Sequence, residues 1–132
     1  MTAMGTDRAR ILLIMLAAVV ALTLGETALA KGMKQTARVG GEWRAQALAV
    51  ARNGWIAAGV LLLGLHLVLY LLALRRADLS FALPLTAASY PLSALMARFY
   101  LREDVGTARW LGTLLITAGV AIVILGEWTG ED

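Results

Sequence analysis

Four long apolar runs constrain this chain more than any other feature of its sequence. They cover residues 11–30, 54–74, 79–97 and 110–126. At about 1.5 Å of rise per residue, runs of about 17 to 21 residues form helices of about 26 to 32 Å, which matches the hydrocarbon core of a bilayer at about 30 Å. Only Glu26 and His66 interrupt them with an acidic or basic side chain. The pattern predicts an all-α membrane protein with four transmembrane helices.

We interpret the four runs as one domain. Residues 1–10 are assigned to an N-terminal tail, 11–128 to a four-helix transmembrane domain with a basic loop at 31–53, and 129–132 to an acidic C-terminal tail. Hydrophobic residues make up 60% of the chain, which is typical of a membrane protein and not of a soluble domain of this length.

The first run shares features with a secretory signal, because Arg8 and Arg10 precede it and small residues lie near its end. It is longer than the signal core of about 7 to 15 residues, and three more apolar runs follow it. We therefore expect it to be a membrane span.

The charged residues lie mostly between the apolar runs. The formal net charge is +3. Because the basic residues lie at helix ends and in loops, we expect them to contact lipid headgroups, and no nucleic-acid partner is expected. The N-terminal tail and the second loop together contain four lysine and arginine residues, whereas the first and third loops together contain eight. The positive-inside rule then predicts both termini outside and the first and third loops in the cytoplasm.

The second half of the first loop, "EWRAQALAVARN", has a helical pattern of its own. It places Trp43, Ala47 and Val50 on one face, with arginines elsewhere. Two alternatives fit this pattern: a helix that lies in the membrane interface, and an N-terminal extension of the second span.

Glu26 is the first candidate for a functional residue. An ionisable group within a membrane helix is costly and usually faces protein or water. This predicts a carboxylate that exchanges protons or binds a substrate. The alternative is a hydrated carboxylate at the membrane surface, because Lys31 is five residues away, about 7.5 Å along the helix axis.

His66 and Tyr70 form a second candidate site. His66 lies inside the second run, and Tyr70 is one helical turn further along the same face. One interpretation is a hydrogen-bonded contact inside the bundle, and the other is a proton relay or a headgroup contact.

The third run contains two prolines, Pro84 and Pro91, on nearly one face of a helix. Each removes a backbone donor, and nearby Thr86, Ser89 and Ser93 offer hydroxyls to the freed carbonyls. The pattern predicts a broken or bendable helix in a cavity wall, with a static kink as the alternative.

The fourth run carries Gly112 and Gly119 on one stripe, beside Thr113 and Thr117. Small residues let helix backbones approach closely in lipid, so we expect a dimer contact here, with packing inside the chain as the alternative. The chain has no cysteine and one histidine. Because neither a nucleophile with a base nor a metal-ligand spacing is present, no enzyme, metal or cofactor is expected.

The order of these features resembles the drug/metabolite transporter superfamily. The segments "GETALAKGM", "LYLLALRRADLSFALPL" and "YLREDVGTARWLGTLLITAGVAIVILG" carry the resemblance, which covers Leu22 to Gly126. In the last of them Glu103 takes the place of an acid typical of the family. The likeness is to half of the EamA-type carriers and to the small four-helix members, which include the small multidrug resistance proteins and the paired flippase subunits for aminoarabinose-linked undecaprenyl phosphate.

The flippase subunits resemble this chain more closely than the multidrug proteins do. Leu22 stands where a first-helix glutamate of the multidrug proteins would be, and Leu83 and Thr86 stand at the places of their pocket aromatics. The flippase subunits instead have a polar residue directly after a glycine, matched by Glu26, and a proline in the third helix, matched by Pro84.

The resemblance implies a multi-pass transporter of the bacterial inner membrane, moving a lipid-linked or small polar substrate. It also implies a dimer, of two copies or with a paralogous subunit, because four helices are half of an inverted-repeat arrangement. Glu26 would be the central polar contact, Lys31 would attract a phosphate headgroup, and His66 and Tyr70 would line the path. There are two alternatives to this lipid-linked transport function. One is a proton-coupled exporter of drugs or metabolites, and the other is a non-transporting subunit that stabilises a larger complex in the lipid bilayer.

Overall fold

One long helix organises the molecule. The computed structural model describes residues 2–129, and within it α1 covers Thr2–Ala37 without a break. Alanine and leucine, the best helix formers in an apolar segment, fill its middle, and the first proline of the chain is Pro84. Residues 2–10, predicted as a tail, and 31–37, assigned to the loop, are therefore helical.

Five shorter helices follow α1. They are α2 (Trp43–Arg52), α3 (Gly54–Leu74), α4 (Leu79–Thr86), α5 (Ser89–Phe99) and α6 (Thr107–Thr129). Four stretches are long and apolar enough to cross a membrane: Thr6–Ala37, α3, α4 with α5, and α6. All regular elements of residues 2–129 are helices. The predicted all-α membrane fold with four spans is confirmed.

Asn53 separates α2 from α3. Its backbone is extended, and its Oδ1 atom accepts hydrogen bonds from the N–H groups of Trp55 at 2.9 Å and Ile56 at 3.2 Å. This is an N-cap, which fixes the start of α3. Its amide group donates to Gln35 on α1 at 3.1 Å. The helix α2 is thus separate and has no buried residue, which favours the interfacial alternative.

The third span breaks between its two prolines. Pro84 lies inside α4, and Pro91 lies in the first turn of α5. Pro91 has no N–H to give to the carbonyl of Ala87. That carbonyl instead accepts from the N–H of Tyr90 at 3.0 Å, in a tighter turn. The break is present where the prolines predict it, and bending at this point remains a prediction.

The helices α1 and α3 approach each other through glycines. A Cβ atom added at Gly59 would lie 2.8 Å from the carbonyl oxygen of Gly25 and 2.7 Å from Cγ of Leu29. One added at Gly32 would lie 2.5 Å from Cγ1 of Ile56. Close backbone approach at small residues is the usual basis of helix association in lipid. Sequence reasoning placed such a contact on the fourth span and missed this one.

A small apolar core joins the spans nearer the N-terminal end of α1. It consists of Met15, Ala73, Ala82, Leu85 and Val120, from α1, α3, α4 and α6. The helix α4 is thus fixed to the core, while α5 packs against α1 and α6 at the other end of the bundle.

We expect Gly59→Ala to destabilise the fold by about 1 to 3 kcal/mol, because the added methyl group forces two backbones apart. The matched control is Gly64→Ala on the same helix, where the added Cβ meets nothing within 4 Å. That change should be neutral or stabilising, since alanine is the better helix former by about 1 kcal/mol. Unfolding in detergent micelles measures both, and equal stability of the two variants would contradict the close contact.

Candidate functional site

Glu26 is exposed on the side of α1 that contacts α5. Its Oε2 atom accepts a hydrogen bond from Oγ of Ser93 at 3.1 Å. The preceding residue, Gly25, is buried against α3. Because α1 continues to Ala37, Glu26 lies well inside a helix and not at its end.

Lys31 marks one end of the bundle. Its Nζ atom lies 4.1 Å from the centroid of the Trp55 ring and 4.8 Å from that of Tyr100, and it donates to the Tyr100 hydroxyl at 3.0 Å. Tryptophan and tyrosine concentrate at membrane interfaces, and their faces attract cations. Glu26 is five residues from Lys31, so it lies about 7.5 Å deeper along the helix axis.

Lys31 also lines a basic pocket at this end. The pocket has a volume of about 280 Å³ and is lined by Lys31, Lys34, Gln35, Arg38, Tyr100 and Leu101. Lys34 forms an ion pair with Glu103, the acid that the family resemblance singled out. Within residues 2–129, Arg38 forms no ion pair. The pocket therefore presents positive charge suited to a phosphate group.

Ser93 lines a second cavity, a groove between α5 and α6. Its volume is about 360 Å³, and Tyr90, Arg109, Gly112 and Thr113 are among the residues that line it. Arg109 is exposed and takes part in no ion pair in the described part of the chain. The groove therefore brings a guanidinium group and hydroxyls to the side chain that contacts Glu26.

Tyr90 and Arg109 were missed by sequence reasoning. Arg109 directly precedes the last apolar run, and Tyr90 directly precedes Pro91. The sequence signals that could have identified them are a cation at the boundary of a span, for Arg109, and an aromatic residue at a proline break, for Tyr90.

His66 and Tyr70 lie away from Glu26. The rings of His66 and Tyr70 stack with centroids 5.9 Å apart, and Nδ1 of His66 is 2.8 Å from the carbonyl oxygen of Ala18. Because a carbonyl oxygen only accepts, Nδ1 carries the proton and donates. Ala18 is eight residues from Glu26, about 12 Å along α1. His66 thus links α3 to α1, which favours a bundle contact over a proton relay.

Gly112 and Gly119 face open space. A Cβ atom added at either position meets nothing within 4 Å, so neither glycine serves a close helix contact inside this chain. Their role in a dimer stays a prediction.

Comparison with known proteins identifies relatives for most of the chain. The chain is 33% identical over 84 residues to the probable 4-amino-4-deoxy-L-arabinose-phosphoundecaprenol flippase subunit ArnE of Pseudomonas fluorescens, a match that covers 61% of this chain and 74% of the relative. A protein of the same name from Pseudomonas aeruginosa is 40% identical over 86 residues, covering 59% and 73%. One from Pectobacterium atrosepticum is 36% identical over 70 residues, covering 53% and 62%.

The chain belongs to the ArnE family of flippase subunits. The resemblance drawn from "GETALAKGM" and the following segments is thereby confirmed. Members of the ArnE family are named as flippase subunits, which are transporters and not enzymes. With four helices able to span a membrane, this ArnE-family chain is a small multi-pass membrane protein of the transporter class. No family model and no solved structure matches the chain.

We expect His66→Phe to lower the free energy of unfolding by about 1 kcal/mol, because the aromatic stack survives and the interhelical hydrogen bond does not. Tyr70→Phe, which keeps its ring, is the control and should be neutral. Unfolding in micelles and transport in vesicles are measured on the same samples. A His66→Phe protein of normal stability that no longer transports would place His66 on the transport path.

Proposed function

We propose that this chain is one subunit of a flippase for 4-amino-4-deoxy-L-arabinose-phosphoundecaprenol, the substrate in the names of its relatives. The observation that supports it best is the carboxylate of Glu26, held within a span by Ser93 at 3.1 Å. The alternative is a proton-coupled exporter, and a non-transporting subunit is one outcome of the tests below.

The proposed substrate carries opposite charges, an amino group on the sugar and a phosphate that links the sugar to the lipid. Glu26 would pair with the ammonium group, while Lys31 and Arg38 in the basic pocket would pair with the phosphate. Charge-assisted hydrogen bonds are about twice as strong as neutral ones, and more so away from water. The undecaprenyl chain would stay in the surrounding lipid.

The groove between α5 and α6 gives this substrate a second set of contacts. Arg109 offers an unpaired guanidinium group, and Ser93 connects the groove to Glu26. A bend at the break between α4 and α5 would shift Tyr90 and Ser93 together, because both belong to α5. We assign Pro84 and Pro91 to this movement.

The working assembly in this proposal is a dimer in the bacterial inner membrane, with both termini outside. Four spans make half of the inverted-repeat arrangement common in transporters. The open face at Gly119 supplies a surface where a helix of a second subunit would pack, and Gly112, on the same stripe, borders the groove between α5 and α6. The partner is a second copy or a paralogous subunit.

Glu26→Gln should slow flipping about 10- to 100-fold, because it removes one charge-assisted pair, worth about 1.5 to 3 kcal/mol. The assembly is reconstituted in vesicles with the amino-sugar lipid, and a membrane-impermeant amine reagent reports the amino groups on the outer leaflet. Glu42→Gln, outside the spans, is the control and should keep the normal rate.

A competing analogue of the lipid that keeps the phosphate but lacks the amino group sharpens this test, because it is read out by how far it slows labelling of the amino lipid. The original protein should prefer the amino lipid, and Glu26→Gln should lose that preference. Normal flipping by Glu26→Gln would overturn the role of this carboxylate. Flipping by neither protein, with assembly intact, would favour the non-transporting subunit.

Gly119→Val should reduce the dimer fraction about tenfold without unfolding the chain, because the added side chain points into open space in the single subunit. Ala121→Val is the matched control. It is two residues further along α6, about 200° around the helix. Native mass spectrometry counts the subunits, and an unchanged dimer in Gly119→Val would place the contact elsewhere.

A further inference from the structure

Three arginines gather at the end of the bundle that is remote from Lys31. They are Arg10 of α1 and, directly after α3, Arg75 and Arg76, and they line a cavity of about 430 Å³ together with Ile11, Ile14 and Leu72. All three are exposed. Within residues 2–129 none of them forms an ion pair, and no carboxylate lines this cavity.

An apolar groove lies further along the same two helices. Its volume is about 380 Å³, and it is lined by side chains of α1 and α3 that include Ala17, Ala21, Leu24, Leu62 and Leu65. Its alanine side chains are small, and the side chains of Leu24 and Leu65 beside them are exposed.

The two cavities lie on one face of the helix pair. Positions 10, 14, 17, 21 and 24 of α1 are spaced by three and four residues, which places them on one side of a helix. Positions 62, 65 and 72 likewise share one side of α3, and Arg75 and Arg76 follow its end. We call the two cavities together, from Arg10 to Leu24 on α1 and from Leu62 to Arg76 on and directly after α3, the seam furrow.

The seam furrow is separate from the site at Glu26. Glu26 follows Leu24 by two residues and so points about 200° away from it around α1. From Arg10 to Leu24 the furrow is about 21 Å long, which is more than half of a hydrocarbon core of about 30 Å. It therefore extends through one leaflet, with its charge at the surface end.

We propose that the seam furrow binds an anionic phospholipid of the bilayer. Its phosphate pairs with Arg10, Arg75 and Arg76, since guanidinium groups bind phosphate in a bidentate manner. One acyl chain lies over Ala17 and Ala21. The cavity itself offers no carboxylate to the ammonium group of an amino-sugar lipid, and Asp78 and Glu127 line the adjoining cavity that shares Arg76. The inference stands independently of the proposed flippase activity.

The test measures lipid binding to the full chain, purified and stripped of lipid in detergent. Native mass spectrometry quantifies phosphatidylglycerol, with phosphatidylcholine for comparison. Changing Arg10, Arg75 and Arg76 to Gln together should weaken phosphatidylglycerol about a hundredfold, because each cation near a headgroup contributes about fivefold. Changing Arg44, Arg98 and Arg102 to Gln removes the same charge elsewhere and should leave the affinity unchanged.

A second variant tests the apolar half. Ala17→Phe fills the groove and should weaken phosphatidylglycerol about tenfold, while competition by inorganic phosphate should be negligible for every protein. Equal lipid affinity in the triple-arginine variant and its control would overturn the proposal. Strong competition by inorganic phosphate would also overturn it, because the site would then bind a free anion.

Cross-linking tests whether a second subunit occupies the furrow instead of a lipid. The chain has no cysteine, so Ala17→Cys introduces a unique thiol, and its efficient cross-linking between copies would overturn the lipid assignment. Glu26→Gln should bind phosphatidylglycerol normally. If the triple-arginine variant binds phosphatidylglycerol normally, this inference fails whatever the flipping result. If Glu26→Gln flips the amino lipid normally, the proposed function fails whatever the lipid-binding result.

Discussion

The close approach of α1 and α3 at Gly25 and Gly59 determines most of the remaining structure. Lipid offers no hydrophobic driving force between helices, so this pair is held by backbone proximity and by the packing around it. Because Gly25 is turned towards α3, Glu26 beside it is turned towards α5. The same contact also leaves the opposite side of the pair open as the seam furrow. This one glycine contact therefore determines which way Glu26 and the seam furrow face around α1.

The apolar runs predicted the four spans because membrane insertion depends on local composition, which a sequence displays directly. The proline pair likewise predicted the break in the third span. Other features depend on residues far apart in the chain. Helix α1 extends past its apolar run to a segment where Lys31 meets Tyr100 and Lys34 meets Glu103, pairs that are 69 residues apart. No local sequence pattern predicts contacts between residues so far apart in the chain.

In the candidate site, too, single residues were predicted from the sequence but their contact partners were not. Glu26 was found from sequence because a carboxylate in a span is conspicuous, but its partner Ser93 was noticed only as a hydroxyl near prolines. His66 was equally conspicuous, and the structure gives it a contact with the carbonyl of Ala18 instead of a place beside Glu26. Rarity in a membrane helix thus marks a residue as important without saying whether it binds a substrate or another helix.

The break in the third span divides it into two rods with different attachments. Ala82 and Leu85 fix α4 in the apolar core, whereas α5 is tied to α1 through Ser93 and, just beyond its end, through Tyr100 and the ion pair of Glu103. Rotation about the break would leave the core undisturbed and would act on the contacts between α5 and α1, which include the hydrogen bond from Ser93 to Glu26. The carboxylate therefore belongs to the few polar contacts that a movement of α5 relative to α1 would have to break.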